Sequence, residues 1–192
     1  MEAFLVSAGV VALAEIGDRT QLLAFVLAAR FRKPGPVIAG ILTATLINHS
    51  LAGAVGGWLV HLLGPDVLRF GLASSFFGMA GWCLIPDRLE PSAGQAAMRY
   101  GAYGTTVTTF FLAEMGDKTQ LATVALAAKY ATVYAVVAGT TVGMLIADVP
   151  AVLLGDRLAG RLPSRPVRAV AAFVFAALGA IVLVDGTGRL LG

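Results

Sequence analysis

Two nearly identical stretches of this sequence place ionisable side chains inside otherwise apolar runs. Residues 14–22 read Ala-Glu-Ile-Gly-Asp-Arg-Thr-Gln-Leu, and residues 113–121 read Ala-Glu-Met-Gly-Asp-Lys-Thr-Gln-Leu. Seven of the nine positions are identical at an offset of 99 residues (114 − 15 = 99). Each copy, called a motif below, combines two carboxylates, one cation, one hydroxyl and one amide. We therefore expect the function to reside in these two motifs.

The two acids of each motif stand at i and i+3, a spacing that shares one face of a continuous helix. An ionised carboxylate near the centre of a membrane is costly, so the two acidic faces are expected to meet where a cation neutralises them. An oxygen-rich site of this kind suits Ca²⁺ or Mn²⁺ rather than Zn²⁺ or Cu⁺. The predicted metal ligands are Glu15, Asp18, Gln21, Glu114, Asp117 and Gln120.

Five further polar residues are candidates for a secondary role. Thr20 and Thr119 belong to the motifs, whereas Asn48, His49 and Asp148 interrupt other apolar blocks. His49 and Asp148 are equivalent at the same offset (148 − 49 = 99). A lone acid in an apolar block is by default functional, although a hydrogen-bonded packing role is the alternative for both Asp148 and His49. All five are candidate secondary ligands or proton sites.

The motifs also contain a glycine and a cation each. Gly17 and Gly116 make local unwinding of a helix inexpensive. Arg19 and Lys118 would oppose metal binding from inside the site, so we expect both to point away from a bound ion. In the empty state each could pair with a carboxylate, or its side chain could extend to the membrane interface. The alternative for the whole pattern is a Glu–Arg and a Glu–Lys packing pair at i,i+4, which explains neither the second acid nor the glycine and amide.

The composition is that of an integral membrane protein. The 192 residues are 58% hydrophobic and 13% charged, against about 25% charged in soluble domains. The basic residues cluster in short loops, which argues against nucleic-acid binding despite a net charge of +3. The single cysteine, Cys83, excludes an intrachain disulfide. Six apolar blocks long enough to cross a bilayer run over about residues 3–29, 36–63, 67–85, 102–128, 132–154 and 166–184.

The repeat extends beyond the motifs and predicts the architecture. At the same offset, Ala39-Gly40 matches Ala138-Gly139. Each half holds three blocks, so the second half must enter the membrane from the opposite side. The predicted fold is an all-α membrane protein with six transmembrane helices arranged as two inverted three-helix repeats. Its predicted parts are a first repeat (1–85), a central cytoplasmic linker (86–101) and a second repeat (102–192).

Loop charge predicts the orientation. Nine basic residues lie on the side of the membrane that holds the loops after blocks one, three and five, and three lie on the other side. This asymmetry predicts an inner-membrane protein with both termini outside the cytoplasm. The nine are Arg30, Arg32, Lys33, Arg88, Arg99, Arg157, Arg161, Arg165 and Arg168, and the three are Arg69, Lys129 and Arg189.

The doubled Glu-x-Gly-Asp-[Lys/Arg]-Thr-Gln motif resembles that of the transmembrane protein 165 (Gdt-one) family of cation/proton antiporters, which includes bacterial manganese exporters of the MneA type. The resemblance covers essentially the whole chain and implies export of Mn²⁺ or Ca²⁺ from the cytoplasm in exchange for protons. The chain lacks the targeting extension and long acidic central loop of many eukaryotic members, which favours a bacterial inner-membrane protein. The resemblance implies metal-binding acids at Glu15, Asp18, Glu114 and Asp117, and conserved amides at Gln21 and Gln120.

The expected mechanism is alternating access around a fixed central site. Deprotonated motif acids bind the ion from the cytoplasm, and protons on the outside compete for the same acids and release it. No resident cofactor is expected. The expected partners are a divalent metal ion, protons and the lipid bilayer, with no nucleic acid and with homo-oligomerisation left open.

Two other functions remain open from the residues, and an enzyme is not expected. The first is an exporter of a basic amino acid or another small cation on a similar six-helix plan. Such an exporter would use the acids for the substrate's cation and, for an amino acid, Arg19 or Lys118 for its carboxylate. An uncoupled divalent-cation channel would show metal flux without proton movement. An intramembrane metallo-enzyme would need histidine or cysteine ligands, and the only histidines, His49 and His61, do not form a zinc site. The residues do not choose between Mn²⁺ and Ca²⁺, since both take oxygen ligands.

Overall fold

The computed structural model describes residues 1–85, 100–158 and 164–185. Eight α-helices and no strand are found in these residues. All but the last two residues of the predicted linker, 86–101, lie outside them. So do four of the basic residues used to predict the orientation, which are Arg88, Arg99, Arg161 and Arg189. The helices are α1 (Glu2–Glu15), α2 (Arg19–Phe31), α3 (Pro34–Leu62), α4 (Pro65–Cys83), α5 (Gly101–Glu114), α6 (Lys118–Tyr130), α7 (Val133–Leu158) and α8 (Ser164–Asp185).

The first and fourth apolar blocks each form two helices instead of one. Helices α1 and α5 have 14 residues, and α2 and α6 have 13. At a rise of 1.5 Å per residue each is about 20 Å long, which is short of the ~30 Å hydrocarbon core of a bilayer. The other four blocks form one helix each. The all-helical prediction is therefore confirmed for the described residues, and the number of spans stays a prediction.

The exterior of the described helices is apolar. Three stretches are long and apolar enough to cross a membrane, namely Pro34–Leu62, Val133–Leu154 and Pro166–Val184. Large hydrophobic side chains face outward, with Trp58 59% exposed and Phe173 73% exposed. Such a surface would be costly in water but is ordinary where lipid is the solvent. The chain is therefore a membrane protein.

Helices α2 and α3, α3 and α4, and α6 and α7 are joined by short connections. Pro34 and Pro65 are the first residues of α3 and α4, a position where proline's missing N–H is not needed. Helices α2 and α6 end at residues with a left-handed backbone, Arg32 (φ 51°) and Ala131 (φ 50°). A left-handed residue after the last turn closes a helix and redirects the chain. Helices α2 and α6 are thus each followed closely by a long helix, α3 and α7 respectively.

The long helix of each half packs against the first helix of the other half. A Cβ built on Gly40 of α3 would lie 2.6 Å from the Cβ of Thr106 in α5. A Cβ built on Gly139 of α7 would lie 3.0 Å from the Cβ of Ser7 in α1. The two contacts are related residue by residue through the offset of 99 (139 − 40 and 106 − 7). Only glycine allows this approach, because any side chain would displace the facing helix.

Two apolar clusters form the core of the described residues. In one, Phe76 of α4 stacks on Phe175 of α8 with ring centroids 6.5 Å apart. In the other, Leu27, Ile41 and Phe110 join α2, α3 and α5. All five side chains are fully buried. Helices α4 and α8 therefore pack on each other.

Candidate metal centre

The first motif forms a tight turn between α1 and α2. Glu15 is the last residue of α1 and Asp18 caps the N-terminus of α2. Between them, Ile16 has φ −63° and ψ 115°, and Gly17 has φ 82°. The backbone N–H of Asp18 donates to the Glu15 carbonyl oxygen at 2.9 Å. These dihedrals and this i→i+3 hydrogen bond describe a type II β-turn, which requires a residue such as glycine at its third position.

The second motif forms the same turn between α5 and α6. Met115 has φ −63° and ψ 118°, Gly116 has φ 75°, and the Asp117 N–H donates to the Glu114 carbonyl oxygen at 3.1 Å. The predicted sharing of one helical face by each Glu and Asp is therefore wrong. The positive φ of the glycine ends the first helix, so each glutamate and aspartate belong to different helices and converge across the turn.

The two glutamine amides brace these turns. Oε1 of Gln21 accepts the N–H of Gly17 at 2.9 Å, and Oε1 of Gln120 accepts the N–H of Gly116 at 2.7 Å. Nε2 of Gln21 also donates to the carbonyl oxygen of Ala147 in α7 at 2.9 Å. The amide oxygens thus accept N–H groups that the broken helices leave without helical partners. Their role as metal ligands stays a prediction.

Gly116→Ala is expected to lower the stability of the fold. A left-handed backbone costs an alanine about 1–2 kcal/mol, and a Cβ on Gly116 meets no atom within 4 Å, so backbone strain is the main effect. Gly9→Ala is the matched control, because its Cβ also meets nothing and alanine should stabilise the interior of α1 by about 1 kcal/mol. Thermal unfolding in detergent measures both. Equal melting temperatures for the two variants would contradict the turn's requirement for glycine.

Acidic side chains from both motifs converge at one buried point. Carboxylate oxygens of Glu15, Glu114 and Asp117 lie within 4.8 Å of one another. The two glutamates are fully buried, and Asp117 and Asp18 are each 1% exposed. The predicted meeting of the two motifs is therefore what the structure shows. Like charges this close are stable only when protons or cations neutralise them.

The motif threonines orient these acids. The hydroxyl of Thr20 lies 2.5 Å from Oε2 of Glu15, and the hydroxyl of Thr119 lies 3.0 Å from Oε2 of Glu114. Each hydroxyl also lies near Oδ2 of its own aspartate, at 3.2 Å for Thr20 and 3.5 Å for Thr119. A hydroxyl has one proton to donate, so each threonine donates to one of these acids and lies beside the other, across the turn. Oε1 of each glutamate has no hydrogen-bond partner among the described residues.

The cation of each motif pairs with the aspartate of the other. Nη2 of Arg19 lies 2.7 Å from Oδ1 of Asp117 and donates to the Ala113 carbonyl oxygen at 2.9 Å. Nζ of Lys118 pairs with Oδ1 of Asp18. The Lys118 side chain is 3% exposed and that of Arg19 is 36% exposed. These reciprocal pairs tie the two motifs together across almost one hundred residues of sequence.

Carboxylate pairing is one of the two options that the sequence predicts for these cations, and the ion pairs confirm it. The partners are the aspartates of the opposite motif, whereas the packing alternative joins each cation to the glutamate four residues before it. The direction of the cations relative to a bound ion stays a prediction. Spacing within one motif carries no information about a partner in the other. The repeat itself is the only signal that could have suggested cross-pairing, because it brings two copies of an acid–base sequence to a common centre.

The polar residues of α3 and α7 are buried beside the motifs. Asn48, His49 and Asp148 are each 0% exposed. Nδ2 of Asn48 donates to the Phe111 carbonyl oxygen at 3.1 Å, three residues before Glu114. Both ring nitrogens of His49 and both carboxylate oxygens of Asp148 have no hydrogen-bond partner among the described residues. The structure therefore places these predicted secondary residues in the interior, with unused binding atoms.

The family model described as "Divalent cation/proton antiporter GDT1" matches residues 3–91 and 102–189. The two matched segments begin 99 residues apart (102 − 3), the same offset as the repeat. A Vibrio cholerae protein named "Putative manganese exporter" is 47% identical over 176 residues, which cover 91% of this chain and 87% of that protein. The match therefore extends over nearly the whole of both proteins.

More distant relatives come from photosynthetic organisms. "GDT1-like protein sll0615" of Synechocystis is 27% identical over 196 residues, covering 91% of this chain and 93% of that protein. "GDT1-like protein 4" of Oryza sativa subsp. indica is 26% identical over 199 residues, covering 91% of this chain and 70% of that protein. No solved structure matches this chain.

Proposed function

This chain belongs to the GDT1 family of divalent cation/proton antiporters, and we propose that it exports Mn²⁺ from the cytoplasm in exchange for protons, with Ca²⁺ as the second candidate ion. Membership of this family makes the chain a cation transporter and not an enzyme. The observation that carries the proposal is the buried convergence of Glu15, Glu114 and Asp117 from two helix breaks. The Vibrio cholerae relative supports the choice of manganese.

The ion is held where the two turns meet. Its ligands are the motif acids Glu15, Asp18, Glu114 and Asp117, with the Gln21 and Gln120 amides beside them. Oxygen donors of this kind suit hard divalent cations, whereas Zn²⁺ and Cu⁺ favour imidazole or sulfur. Broken helices place such sites at the middle of a membrane in many secondary transporters, because unwound backbone is tolerated only where it lines protein or a cavity.

Two inverted repeats of three spans each provide alternating access. Each broken pair, α1–α2 and α5–α6, makes one span with its break at the centre. The reciprocal Gly40–Thr106 and Gly139–Ser7 contacts support a pseudo-two-fold relation between the halves. Three spans per half then give the halves opposite orientations, and rocking one half against the other would expose the site to each side in turn.

Proton coupling follows from sharing one site. The two motifs carry four acids and two cations, so the site has an excess of negative charge that either a divalent ion or protons can neutralise. An uncompensated acid is costly to move through the membrane interior. The transporter therefore switches between its inward-open and outward-open states only with metal or protons bound. Metal that moves outward is exchanged for protons that move inward.

The chain is oriented with both termini outside the cytoplasm, in an inner membrane. The basic residues Arg30, Arg32 and Lys33 lie at the C-terminal end of α2 and just after it, and they face the cytoplasm under the positive-inside rule. The central linker, residues 86–101, lies on the same side. In this orientation the loaded site opens to the cytoplasm to take up Mn²⁺.

Metal uptake into inverted membrane vesicles, with lumenal pH followed in parallel, tests this function. Mn²⁺ added to acidified vesicles should release lumenal protons, and Ca²⁺ and Mg²⁺ in parallel identify the ion. Metal entry without proton movement would mean a channel. Competition by lysine, or no response to any divalent ion, would favour the export of a basic amino acid and overturn the proposal.

Metal binding is expected to weaken as pH falls. The deprotonated acids bind the ion, so each proton displaced on binding makes the apparent Kd rise by up to about tenfold for each unit of pH decrease. Titration of the purified protein with Mn²⁺ at about pH 8 and about pH 6 measures this. The Kd should be higher at the lower pH. An unchanged Kd would contradict competition between protons and metal for one set of acids.

A further inference from the structure

We propose that Asp148, which lies outside both motifs, is a direct ligand of the transported ion and joins Glu15 and Glu114 around it. The proposal rests on the divalent-cation function above and identifies a ligand that the doubled motif does not contain. It makes the site chemically asymmetric, because only the second half of the chain supplies this extra acid.

The buried acids differ in whether their carboxylate oxygens have hydrogen-bond partners. Both oxygens of Asp18 have partners, Lys118 and Thr20, and both oxygens of Asp117 lie near Arg19 and Thr119. Among the described residues, the buried carboxylate oxygens without a hydrogen-bond partner are Oε1 of Glu15, Oε1 of Glu114 and both oxygens of Asp148. Buried polar atoms in proteins nearly always have partners. An incoming cation would therefore give these four atoms a partner.

Asp148 lies beside the first motif. Its neighbour Ala147 accepts a hydrogen bond from Nε2 of Gln21 at 2.9 Å, so α7 touches the first motif at this level. Asp148 is also near the middle of α7, as the breaks are near the middle of α1–α2 and α5–α6.

The repeat supplies an internal comparison for Asp148. The equivalent residue in α3 is His49 (148 − 99 = 49), whose ring nitrogens also lack hydrogen-bond partners among the described residues. The two halves therefore differ at these equivalent positions, with an imidazole in one and a carboxylate in the other. If the halves are related by a pseudo-two-fold axis, an acid moved from position 148 to position 49 would still face the ion.

Mn²⁺ titration of the purified full-length protein tests the proposal. Asp148→Asn should raise the Kd for Mn²⁺ at least about tenfold, the lower end of the loss seen when even an outer partner of a metal ligand is removed. Asp66→Asn is the matched control, because Asp66 is an exposed acid in the first turn of α4, and it should leave the Kd unchanged. Glu114→Gln serves as the reference for complete loss of binding.

Thermal unfolding separates a ligand from a structural residue. Asp148→Asn removes an unpartnered buried charge, so its melting temperature without metal should equal or exceed that of the wild type. Its stabilisation by added Mn²⁺ should shrink, because a ligand stabilises a fold in proportion to its occupancy. The double variant His49→Asp/Asp148→Asn should recover part of the lost affinity.

The outcomes distinguish the two proposals. A Kd for Asp148→Asn within about twofold of the wild type, with binding lost in Glu114→Gln, would overturn the role of Asp148 and leave the transport function standing. Equal loss of stability with and without metal, and no recovery in the double variant, would also overturn it. Failure of the wild type to bind Mn²⁺ or Ca²⁺ would instead remove the proposed function.

Discussion

Glu114→Gln is expected to abolish transport of the divalent ion while the protein remains folded. Oε1 of Glu114 has no hydrogen-bond partner among the described residues, and Oε2 accepts only a threonine hydroxyl, so the charge stabilises no ion pair in the fold. Glutamine keeps the size and the oxygen acceptor but removes the charge that binds the ion. Loss of this ligand should lower metal affinity by more than the roughly 10- to 100-fold that loss of an outer partner causes.

Initial rates of Mn²⁺ uptake into inverted vesicles measure this effect. Glu15→Gln should behave in the same way, because Glu15 has the equivalent place in the first motif. The matched control is Glu2→Gln, which removes an exposed acid at the start of α1 and should leave uptake unchanged. Uptake by Glu114→Gln at half the wild-type rate or more would show that the glutamate does not bind the ion.

Lys118→Met is expected to have the largest effect on stability. The Lys118 side chain is 3% exposed and pairs with Asp18, whose side chain is fully buried. Removing one partner leaves an uncompensated buried charge, which costs about 3–5 kcal/mol. The equivalent change at Arg19 should cost less, because the Arg19 side chain is 36% exposed and solvent screens its pair with Asp117.

Thermal unfolding in detergent without metal measures this loss. Lys33→Met is the control, because Lys33 is exposed before α3 and should unfold like the wild type. The double variant Asp18→Asn/Lys118→Met removes both charges and should recover most of the stability, while losing metal affinity with Asp18. A single Lys118→Met variant as stable as the wild type would contradict the importance of the cross-motif pair.

The sequence predicted the location of the site better than its local backbone. The offset between the motifs correctly predicted that Glu15 and Glu114 meet, because ionised side chains in an apolar membrane chain are too costly to face lipid and are buried together. At Gly17 the sequence predicts only that local unwinding of the helix is inexpensive, and it does not predict a turn. Whether a glycine breaks a helix depends on the hydrogen bonds available to the freed backbone, and here Gln21 supplies one from four residues further along.

The pairing of charges could not be predicted from spacing. Arg19 has acids at i−4 and i−1, yet its partner is Asp117, 98 residues away in the sequence. The choice depends on how the two turns face each other, which is a property of the packed helices and not of either motif. The same reason leaves Asp148 ambiguous from the sequence, since only its surroundings in the fold distinguish a packing residue from a ligand.

Mn²⁺ uptake by proteoliposomes that contain only this protein tests the central claim most directly. A proton gradient is imposed across the membrane while the electrical potential is clamped at zero, and internal Mn²⁺ is followed against its own gradient. Proton-coupled exchange predicts that Mn²⁺ accumulates on the side with the higher proton concentration, and that Glu114→Gln does not accumulate it. Movement of Mn²⁺ only down its own gradient, whatever the proton gradient, would contradict the account.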